Sequence, residues 1–537
     1  MTRCLVILAI LLQLGSLWAV DKFAFPASSQ GICDVPMTAI GTTGDAAVNK
    51  NNSIVTVNIP QKHHISNETR GAVITFDMKS LKNKVVCVKA QVRYTEVGSD
   101  TQGPHVGVKL LCDFSSPHSG RTFVFSPSYI GSSNGWQNLE VYCPLNEFIT
   151  EARVILGLQQ AWGKAEFRNI SAEVVAPADA GPKTYSVPAN FRCEYSDKVL
   201  NAPMGRGFMT PPPNRITKQD IQDMAKLNVN LIRYQIVDGL KNYWDLAAYD
   251  KWMTECLDKL DSLMPELKAA GIKVVIDMHR PPGYRIGYAP FPKAPGTELV
   301  KKINPHLIHR VMVEQNQYNF YIFTWQKIAR RYKDNPLIYG YDLINEPYVS
   351  GPTPYHWQDL QYAAAKAIRE IDLEMPIIVE GNYLANPSMF NMTPMPLKNI
   401  IYQVHMYNPM TYSHQGVGHK AYIERYPQYA IKYNYSKDFL RKSMQPTIDF
   451  MEKYGAKIYV GEFSVTRWSP DAARYLDDLI SVFEELKWDW TYHAFREWDG
   501  WSLEHDSNPA NTQKAKKTTD RMQVMIKYLK KNISAKL

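Results

Sequence analysis

The segment from about residue 190 to the carboxyl end repeats one pattern, in which an apolar run of strand length is followed by a longer amphipathic stretch. This repetition restricts the fold more than any other feature, because alternating strands and helices are typical of a parallel sheet covered by its connecting helices. Eight such runs favour a (β/α)8 barrel, the TIM barrel, over an open doubly wound sheet. The runs span 204–208, 231–236, 274–279, 341–347, 377–381, 401–407, 457–463 and 490–495.

The amphipathic stretches between these runs predict the helices of the barrel. The first begins with the pattern Thr217-x-x-Asp220, which is typical of a capped helix start. The helix after the fifth run is only poorly marked. The predicted helices span 217–227, 247–270, 311–332, 357–371, 436–453 and 471–486.

The fourth and seventh runs each place a glutamate at the carboxyl end of a strand. Asn345-Glu346-Pro347 closes the fourth run, and proline cannot continue a strand because it lacks an amide hydrogen. Glu462 lies at the end of the seventh run. Because the carboxyl ends of the strands form the reactive face of an α/β barrel, we expect both carboxylates in one pocket. One glutamate alone would be read as a solvated loop residue, but two can act on a glycosidic bond as general acid and nucleophile.

The other runs also end in polar or aromatic residues, and the whole set resembles the cellulase family, glycoside hydrolase family five, whose signature is a strand ending in Asn-Glu-Pro. The resemblance implies a retaining β-glycosidase with Glu346 as acid/base and Glu462 as nucleophile. It implies that the tryptophan after the eighth strand is Trp498, with Trp490 and Trp501 as alternatives. The matching substrate-binding or supporting residues are Arg233, His279, Asn345, His405, Tyr407 and Trp498.

These residue types suit the expected reaction. Glu346 must deliver a proton to the leaving oxygen, so we expect burial and the nearby Glu462 to raise its pKa. Arg233 and the Tyr407 hydroxyl can keep Glu462 ionised, and Asn345 can bind the 2-hydroxyl of the sugar. The histidines would orient hydroxyls, and the tryptophan would offer an apolar face to a pyranose ring. Retention follows if the two carboxyl groups lie about 5 Å apart.

Residues 20–180 have a different pattern, with short alternating runs separated by clusters of Gly, Ser, Asn and Pro. This pattern predicts an N-terminal β-sandwich. A module of this kind before a sugar-cleaving domain resembles a carbohydrate-binding module. Its candidate stacking platforms, which could equally be core residues, are Trp136, Trp162, Tyr129 and Tyr142. A linker at 181–190 then leads into a catalytic domain over 191–537.

The first 19 residues are typical of a secretory signal peptide, with Arg3, an apolar stretch over 5–14 and small residues up to Ala19. We therefore expect a secreted, extracellular protein with no membrane association after cleavage. Removal of Cys4 leaves an even number of cysteines, which suggests disulfides of unassigned pairing. These cysteines are Cys33, Cys87, Cys112, Cys143, Cys193 and Cys256. The N-glycosylation sequons are at Asn51, Asn67, Asn169, Asn391, Asn434 and Asn532.

Composition excludes several other classes. A chain of 537 residues with 45% hydrophobic residues predicts two globular units rather than a disordered protein. The net charge of +9 comes from 61 basic and 52 acidic residues that are spread along the chain, so it does not indicate a nucleic-acid partner. No Cys-x-x-Cys or His-x-x-x-His spacing occurs, and we expect neither a metal site nor a cofactor. We expect a monomer.

The substrate is expected to be a polysaccharide or oligosaccharide. The family cleaves several β-linked glycans, and we favour an endo-β-1,4-glucanase. The alternatives are a β-mannanase and an exo-acting β-glucosidase or β-1,3-glucanase. A non-catalytic carbohydrate-binding protein and a metal-dependent hydrolase are alternatives of other classes. Loops over 280–309 and 408–435 would shape the cleft. Their candidate contacts are Tyr284, Tyr288, Tyr412 and His414.

Overall fold

The computed structural model divides the chain into two compact units. The first comprises Met1–Asp179, Lys302–Asn304 and Ser350–Pro352, and the second comprises Ala180–Lys301, Pro305–Val349 and Thr353–Leu537. The described residues are 22–24, 32–43, 46–51, 53–61, 69–103, 105–116, 120–177, 181–288, 297–303, 307–349, 351–417, 425–429 and 434–532. The expected signal segment, Cys4 and the Asn67 sequon lie outside these ranges. Within them, no helix combines the length and apolar character that a membrane span requires.

The first unit contains two antiparallel sheets. One has the strand order β3-β4-β11-β6-β9 with β1 paired to β11, and the other has the order β2-β5-β10-β7-β8. A short helix, Met78–Leu81, precedes β6. Strands β1 to β11 are Cys33–Asp34, Ile40–Thr43, Ala47–Asn51, Ile54–Ile59, Thr69–Thr75, Lys84–Gly98, Gly107–Ser116, Gly120–Phe125, Gln137–Leu145, Glu151–Gln159 and Trp162–Pro177.

Alternation of apolar and polar residues explains how these strands bury their side chains. In Ile54–Ile59 the buried positions are Val55, Val57 and Ile59, which point to the same face because side chains alternate along a strand. One hydrophobic cluster draws residues from both sheets, including Val57 and Ile74. The predicted β-rich module is therefore present, whereas its closure as a sandwich stays a prediction.

The aromatic residues that were candidate stacking platforms lie in different environments. Tyr129 stacks on Tyr94 with ring centroids 5.7 Å apart, and Tyr142 is buried. Trp136 is half-buried, with the guanidinium of Arg168 4.1 Å from its ring centre. Their role in binding sugars stays a prediction.

The predicted disulfides and glycans gain no support here. The six cysteines within the described ranges are all free thiols. Among the sequons, the Asn532 side chain is buried and donates a hydrogen bond of 2.7 Å to the Asn228 carbonyl, so the folded chain leaves no room for a glycan there. Asn51 and Asn169 are exposed.

The second unit contains the predicted eight-stranded parallel barrel, which closes in the order β12-β13-β14-β15-β16-β17-β20-β21. Strands β18 and β19 form a separate two-stranded sheet, Gln428–Tyr429 and Asn434–Tyr435. The barrel strands are Arg206–Met209, Leu231–Gln235, Lys273–Asp277, Ile338–Asp342, Ile377–Glu380, Ile400–Met406, Lys457–Phe463 and Asp489–Tyr492.

The helices of this unit follow the sequence pattern closely. Thr217 and Asp220 form the predicted capping box, and Gly271, in a left-handed conformation, ends the helix Leu246–Ala270. After β16, where the helix pattern is weak, the described connection contains only the 3₁₀ turn Pro387–Met389. The α-helices are Asp197–Leu200, Lys218–Lys226, Leu246–Ala270, Thr297–Ile303, Gln315–Tyr332, Trp357–Arg369, Met410–Ser413, Lys437–Ser443, Gln445–Tyr454, Ala472–Leu486 and Asp520–Leu529. The other 3₁₀ turns of this unit are Ile286–Tyr288, Arg310–Met312 and Asp499–Trp501, and the first unit contains the turn Met37–Ala39.

Candidate active site

A cavity of about 280 Å³ lies where the carboxyl ends of the barrel strands meet. Polar and aromatic side chains form its wall, and several of them belong to the set predicted from the sequence. The lining residues are His279, Glu346, Tyr383, Leu384, Asn386, His405, Tyr407, Asn408, Met410, His414, Glu462, His493 and Trp501.

The two predicted catalytic glutamates meet in this cavity. Glu462 lies in β20 next to its last residue, and Glu346 follows the end of β15 by four residues. One carboxylate oxygen of each and a ring nitrogen of His405 lie within 4.8 Å of one another. This separation suits attack by one carboxylate while the other serves the leaving group, since retaining glycosidases have carboxyl groups about 5 to 5.5 Å apart.

Glu462 is held as an anion by three neighbours. Arg233 Nη1 donates to its Oε1 at 2.6 Å, and the Tyr407 hydroxyl donates to its Oε2 at 2.8 Å. His493 Nδ1 lies 3.3 Å from the same Oε2. Burial alone would raise the pKa of Glu462, but His405, His493 and Arg233 together hold that pKa well below its usual range. A carboxylate in this state is available as a nucleophile at neutral pH.

Glu346 has a pKa opposite to the one that the sequence predicted. Burial and Glu462 raise the pKa, as expected, but contacts with His405 and Arg285 outweigh them and lower it. His405 Nδ1 lies 3.2 Å from Glu346 Oε1, and Arg285 Nη2 donates to Oε2 at 3.1 Å. The expected raised pKa is therefore wrong for the unliganded site. The sequence predicted neither Arg285 nor the sharing of a proton with His405.

His405 carries positive charge within this group. Burial lowers its pKa, but the carboxylates of Glu380, Glu462 and Glu346 raise it well above its usual value. The distances from its ring nitrogens to these carboxylates are 3.5, 3.7 and 3.2 Å. The contact of 3.2 Å between Glu346 and His405 can therefore hold one proton between them.

Arg233 is fully buried and organises the strand ends. Its Nε donates to Asp342 Oδ2 at 2.8 Å, and its Nη2 lies 3.0 Å from Glu380 Oε1 and 3.2 Å from Asp277 Oδ1. With Glu462, four buried carboxylates surround one guanidinium. Its planar set of donors meets them from several strands at once, as a lysine could not.

The remaining predicted residues are close to this group. Asn345 Oδ1 accepts a hydrogen bond of 3.0 Å from Arg233 Nη2, and Asn345 Nδ2 is 3.4 Å from His279 Nε2. His279 Nδ1 is in turn 2.9 Å from Asp277 Oδ2. Arg233 thereby fixes the amide that would meet the sugar 2-hydroxyl.

The tryptophan in the cavity wall is Trp501 rather than Trp498. Trp501 packs near the rings of His414 and Tyr407, with centroid distances of 4.9 and 6.4 Å. Trp498 is 39% exposed and meets Trp501 edge-on at 5.1 Å. Trp490 is buried in the barrel core. Three tryptophan candidates within twelve positions of one another could not be separated without the path of the loop.

Of the loop residues proposed as substrate contacts, only His414 lines the cavity. Tyr412 is buried and donates to the Pro470 carbonyl at 2.7 Å. Tyr284 packs against Arg280, whose guanidinium lies 4.9 Å from the ring centre. The side chain of Tyr288 lies outside the described part of the structure.

Several residues of the site were not predicted. Asp277, Asp342 and Glu380 each end a barrel strand, so the signal was an acidic residue at the close of an apolar run. His493 follows β21, and its pKa is raised to about 10 because Glu497 and Glu462 outweigh the effect of burial. Arg285, which comes from a loop, had no recognisable signal.

Glu346, His405 and Glu462 also form the one group of potential metal ligands found among the described residues. Arg233 already neutralises Glu462 at 2.6 Å, and His405 is protonated by its three carboxylate neighbours. A protonated imidazole offers no lone pair, and nearby cations repel a metal ion. The donor set therefore suits proton transfer better than metal binding.

Comparison with known proteins agrees with this geometry. The family model for cellulase, glycosyl hydrolase family 5, matches residues 201–503. Endoglucanase C of Acetivibrio thermocellus is 26% identical over 302 residues, which is 50% of this chain and 81% of that protein. Cellodextrinase A of Ruminococcus flavefaciens is 23% identical over 303 residues, 55% of this chain and 76% of that protein. The crystal structure of endoglucanase Cel5A from Thermotoga maritima has a TM-score of 0.45 and 20% identity, covering 61% of this chain and 98% of that one.

Proposed function

This chain belongs to the cellulase family, glycosyl hydrolase family 5, and from this membership we propose that it is a secreted endo-β-1,4-glucanase that acts with retention of configuration. It is a glycoside hydrolase, and the finer assignment rests on its site. The observation that carries it is the pair of glutamates, with one oxygen of each within 4.8 Å of the other. Relatives described as endoglucanases support the choice of a glucan.

In the first half of the reaction, a carboxylate oxygen of Glu462 attacks the anomeric carbon and forms a glycosyl ester. The bond from that carbon to the leaving oxygen breaks, and the leaving oxygen takes a proton from Glu346. Because Glu346 Oε1 and His405 Nδ1 are 3.2 Å apart, the proton held by this pair can move onto Glu346 as the leaving oxygen gains charge. As the ester forms, Glu462 loses its negative charge, and its hydrogen bonds from Arg233 and Tyr407 weaken.

In the second half, water attacks the anomeric carbon from the face that the leaving group vacated. Glu346, now ionised, takes the proton of this water, and the ester bond to Glu462 breaks. His405 and Arg285 lower the pKa of Glu346, so Glu346 is ionised and available for this base step, and the pair with His405 holds the proton for the next cycle. Two inversions at one carbon give net retention.

The proposal also covers the first unit and the location of the protein. We assign the two antiparallel sheets to a β-sandwich that acts as a carbohydrate-binding module, supported by their shared hydrophobic cluster. Secretion is supported by the pattern of residues 1–19. Neither assignment affects the chemistry at the barrel.

A substrate panel tests the proposal. Purified protein is incubated with soluble β-1,4-glucan, mixed-linkage glucan, β-1,3-glucan, mannan and xyloglucan, and the products are sized. We expect oligosaccharides of mixed length from β-1,4-glucan. Release of single glucose units would instead indicate an exo-acting β-glucosidase, and activity confined to mannan would indicate a mannanase. Binding of polymer with no cleavage of any glycan would contradict the enzyme assignment.

Replacing Glu346 by alanine should make the rate depend strongly on the leaving group. We expect a loss of about 10³-fold with the polymer, because the leaving oxygen needs a proton. Formation of the glycosyl ester from a 2,4-dinitrophenyl glycoside should persist, because that leaving group departs without a proton. Steady-state and burst kinetics on both substrates measure the difference, with azide restoring turnover and giving the β-azide. Equal losses on the two substrates would contradict the acid role.

A further inference from the structure

Glu380, at the end of β16, is fully buried and contacts both halves of the catalytic site without lining the cavity. Its Oε2 accepts a hydrogen bond of 2.7 Å from the backbone amide of Glu346. Its Oε1 lies 3.0 Å from Arg233 Nη2, which also serves Glu462 through Nη1. Nothing in the proposed reaction requires a third glutamate to react.

We propose that Glu380 is a positioning residue that holds the acid/base glutamate in its working orientation and anchors its histidine partner. This inference rests on the proposed function, because it assumes that Glu346 donates the proton. It extends that function to a residue that does not touch the substrate. Glu380 couples Glu346, His405 and Arg233.

The first part of the task is conformational. Glu346 has a φ of 51°, a left-handed conformation that is unfavourable for a residue with a long side chain. The hydrogen bond from its amide to Glu380 compensates for this conformation and directs the side chain toward His405 and the cavity. Without the acceptor, the segment Asn345 to Pro347 would lose the contact that fixes where the acid points.

The second part is electrostatic. Glu380 Oε1 is 3.5 Å from His405 Nε2, on the opposite side of the ring from Glu346, so the imidazole lies between two carboxylates. Gln403 Nε2 donates to Glu380 Oε1 and lies 3.1 Å from His405 Nε2. Gly461 leaves the space for this amide, since a Cβ there would lie 2.4 Å from Gln403 Cδ. Glu380 therefore favours a proton on His405.

Charged and titratable groups from several elements face His405 and Glu380. Each of these groups affects the pH dependence of activity. Around His405 they are Glu346, Glu380 and Glu462. Around Glu380 they are Arg233, His405, Asp342 and Tyr321. Arg285 also faces Glu346. Replacing Glu380 by glutamine keeps its size but removes one negative charge, so the Glu346–His405 pair should bind its proton more weakly. The acid form is then lost at lower pH, and the alkaline limb of the pH profile should move down by about one unit.

The test compares Glu380→Gln, Glu380→Asp and wild type on the polymer and on a 2,4-dinitrophenyl glycoside. For Glu380→Gln we expect kcat on the polymer to fall about 100-fold with little change in KM, and a much smaller loss on the activated glycoside. Glu380→Asp keeps the charge but not the reach, so kcat should fall while the alkaline limb stays in place. A uniform loss on both substrates would mean that Glu380 acts only through Arg233 and Glu462, and would overturn the proposal.

A matched control and a measurement independent of turnover separate this role from general stability. Asp489 is another buried barrel carboxylate, bonded to the Gly205 amide and the Tyr339 hydroxyl and to none of the site residues. Asp489→Asn should lower the melting temperature without moving the pH profile. Titration of the His405 ring by NMR should show a lower pKa in Glu380→Gln than in wild type. An unchanged titration would refute the coupling, whereas failure of the wild type to cleave any glycan would count against the proposed function alone.

Discussion

Replacing Glu462 by alanine should reduce kcat by about 10⁵-fold, the scale seen when a covalent nucleophile is removed. The glycosyl ester cannot form without this carboxylate, and the space it leaves is bordered by Arg233 and Tyr407, which can bind a small anion. Added azide should therefore restore part of the turnover and give the α-glycosyl azide, with inverted configuration. Product stereochemistry by NMR measures this outcome, and it is opposite to the β-azide expected for Glu346→Ala.

The exposed Glu452, on the helix Gln445–Tyr454, provides a matched control. Its replacement by alanine is the same chemical change at a surface position and should leave activity within a factor of about two of wild type. If Glu462→Ala kept substantial turnover, or if azide gave the β-product, the assignment of the nucleophile to β20 would have to be abandoned.

Replacing Arg233 by methionine should have the largest effect on stability of any single change in the barrel. Methionine fills similar space but leaves Asp277, Asp342, Glu380 and Glu462 without their shared cation. Breaking a buried ion pair in this way costs about 3 to 5 kcal/mol, and activity should be lost because Glu462 no longer stays ionised. Urea unfolding monitored by tryptophan fluorescence measures the loss.

The loss of stability caused by Arg233→Met should change with pH in a direction that the pKa shifts predict. In wild type the pKa of Glu462 is lowered by its partners, so its contribution to stability is present above the unfolded pKa and is lost as pH falls. In the variant the crowded carboxylates have raised pKa values, so stability falls as pH rises. The difference between the two proteins should therefore shrink in acid. Arg206→Met removes a buried arginine that is paired with Glu484. This variant should be less stable than wild type, but the pH profile of its activity should match that of wild type.

Much of the barrel and part of its site could be predicted from the pattern of residues. Each apolar run that ends in a polar residue marks a strand and the face at which it ends, which placed Glu346 and Glu462 in one pocket, whereas Arg233 and Asn345 were added through the resemblance to the cellulase family. The same rule applied to Glu380 would have found the third glutamate. The resemblance to the cellulase family implies a set of site residues that does not include Glu380.

The expectations that failed depended on distances. Glu346 was expected to have a raised pKa because its sequence neighbours and partner glutamate suggested only burial and repulsion. His405 and Arg285, which are 59 and 61 positions away, together reverse that direction through contacts of 3.2 and 3.1 Å. Likewise, Trp498 and Trp501 differ by three positions, yet only Trp501 turns into the cavity, because the 3₁₀ turn Asp499–Trp501 redirects the chain.

The sequence by itself determined the number of strands, their order and the face on which the acidic residues gather, since these follow from the local alternation of apolar and polar residues. Only the tertiary structure decided which charges neutralise one another, which neighbours set the pKa of each glutamate and which tryptophan lines the cavity. The physical reason is that Coulomb interactions and hydrogen bonds depend on separations of a few ångströms between residues far apart in the chain, and closure of the barrel sets those separations.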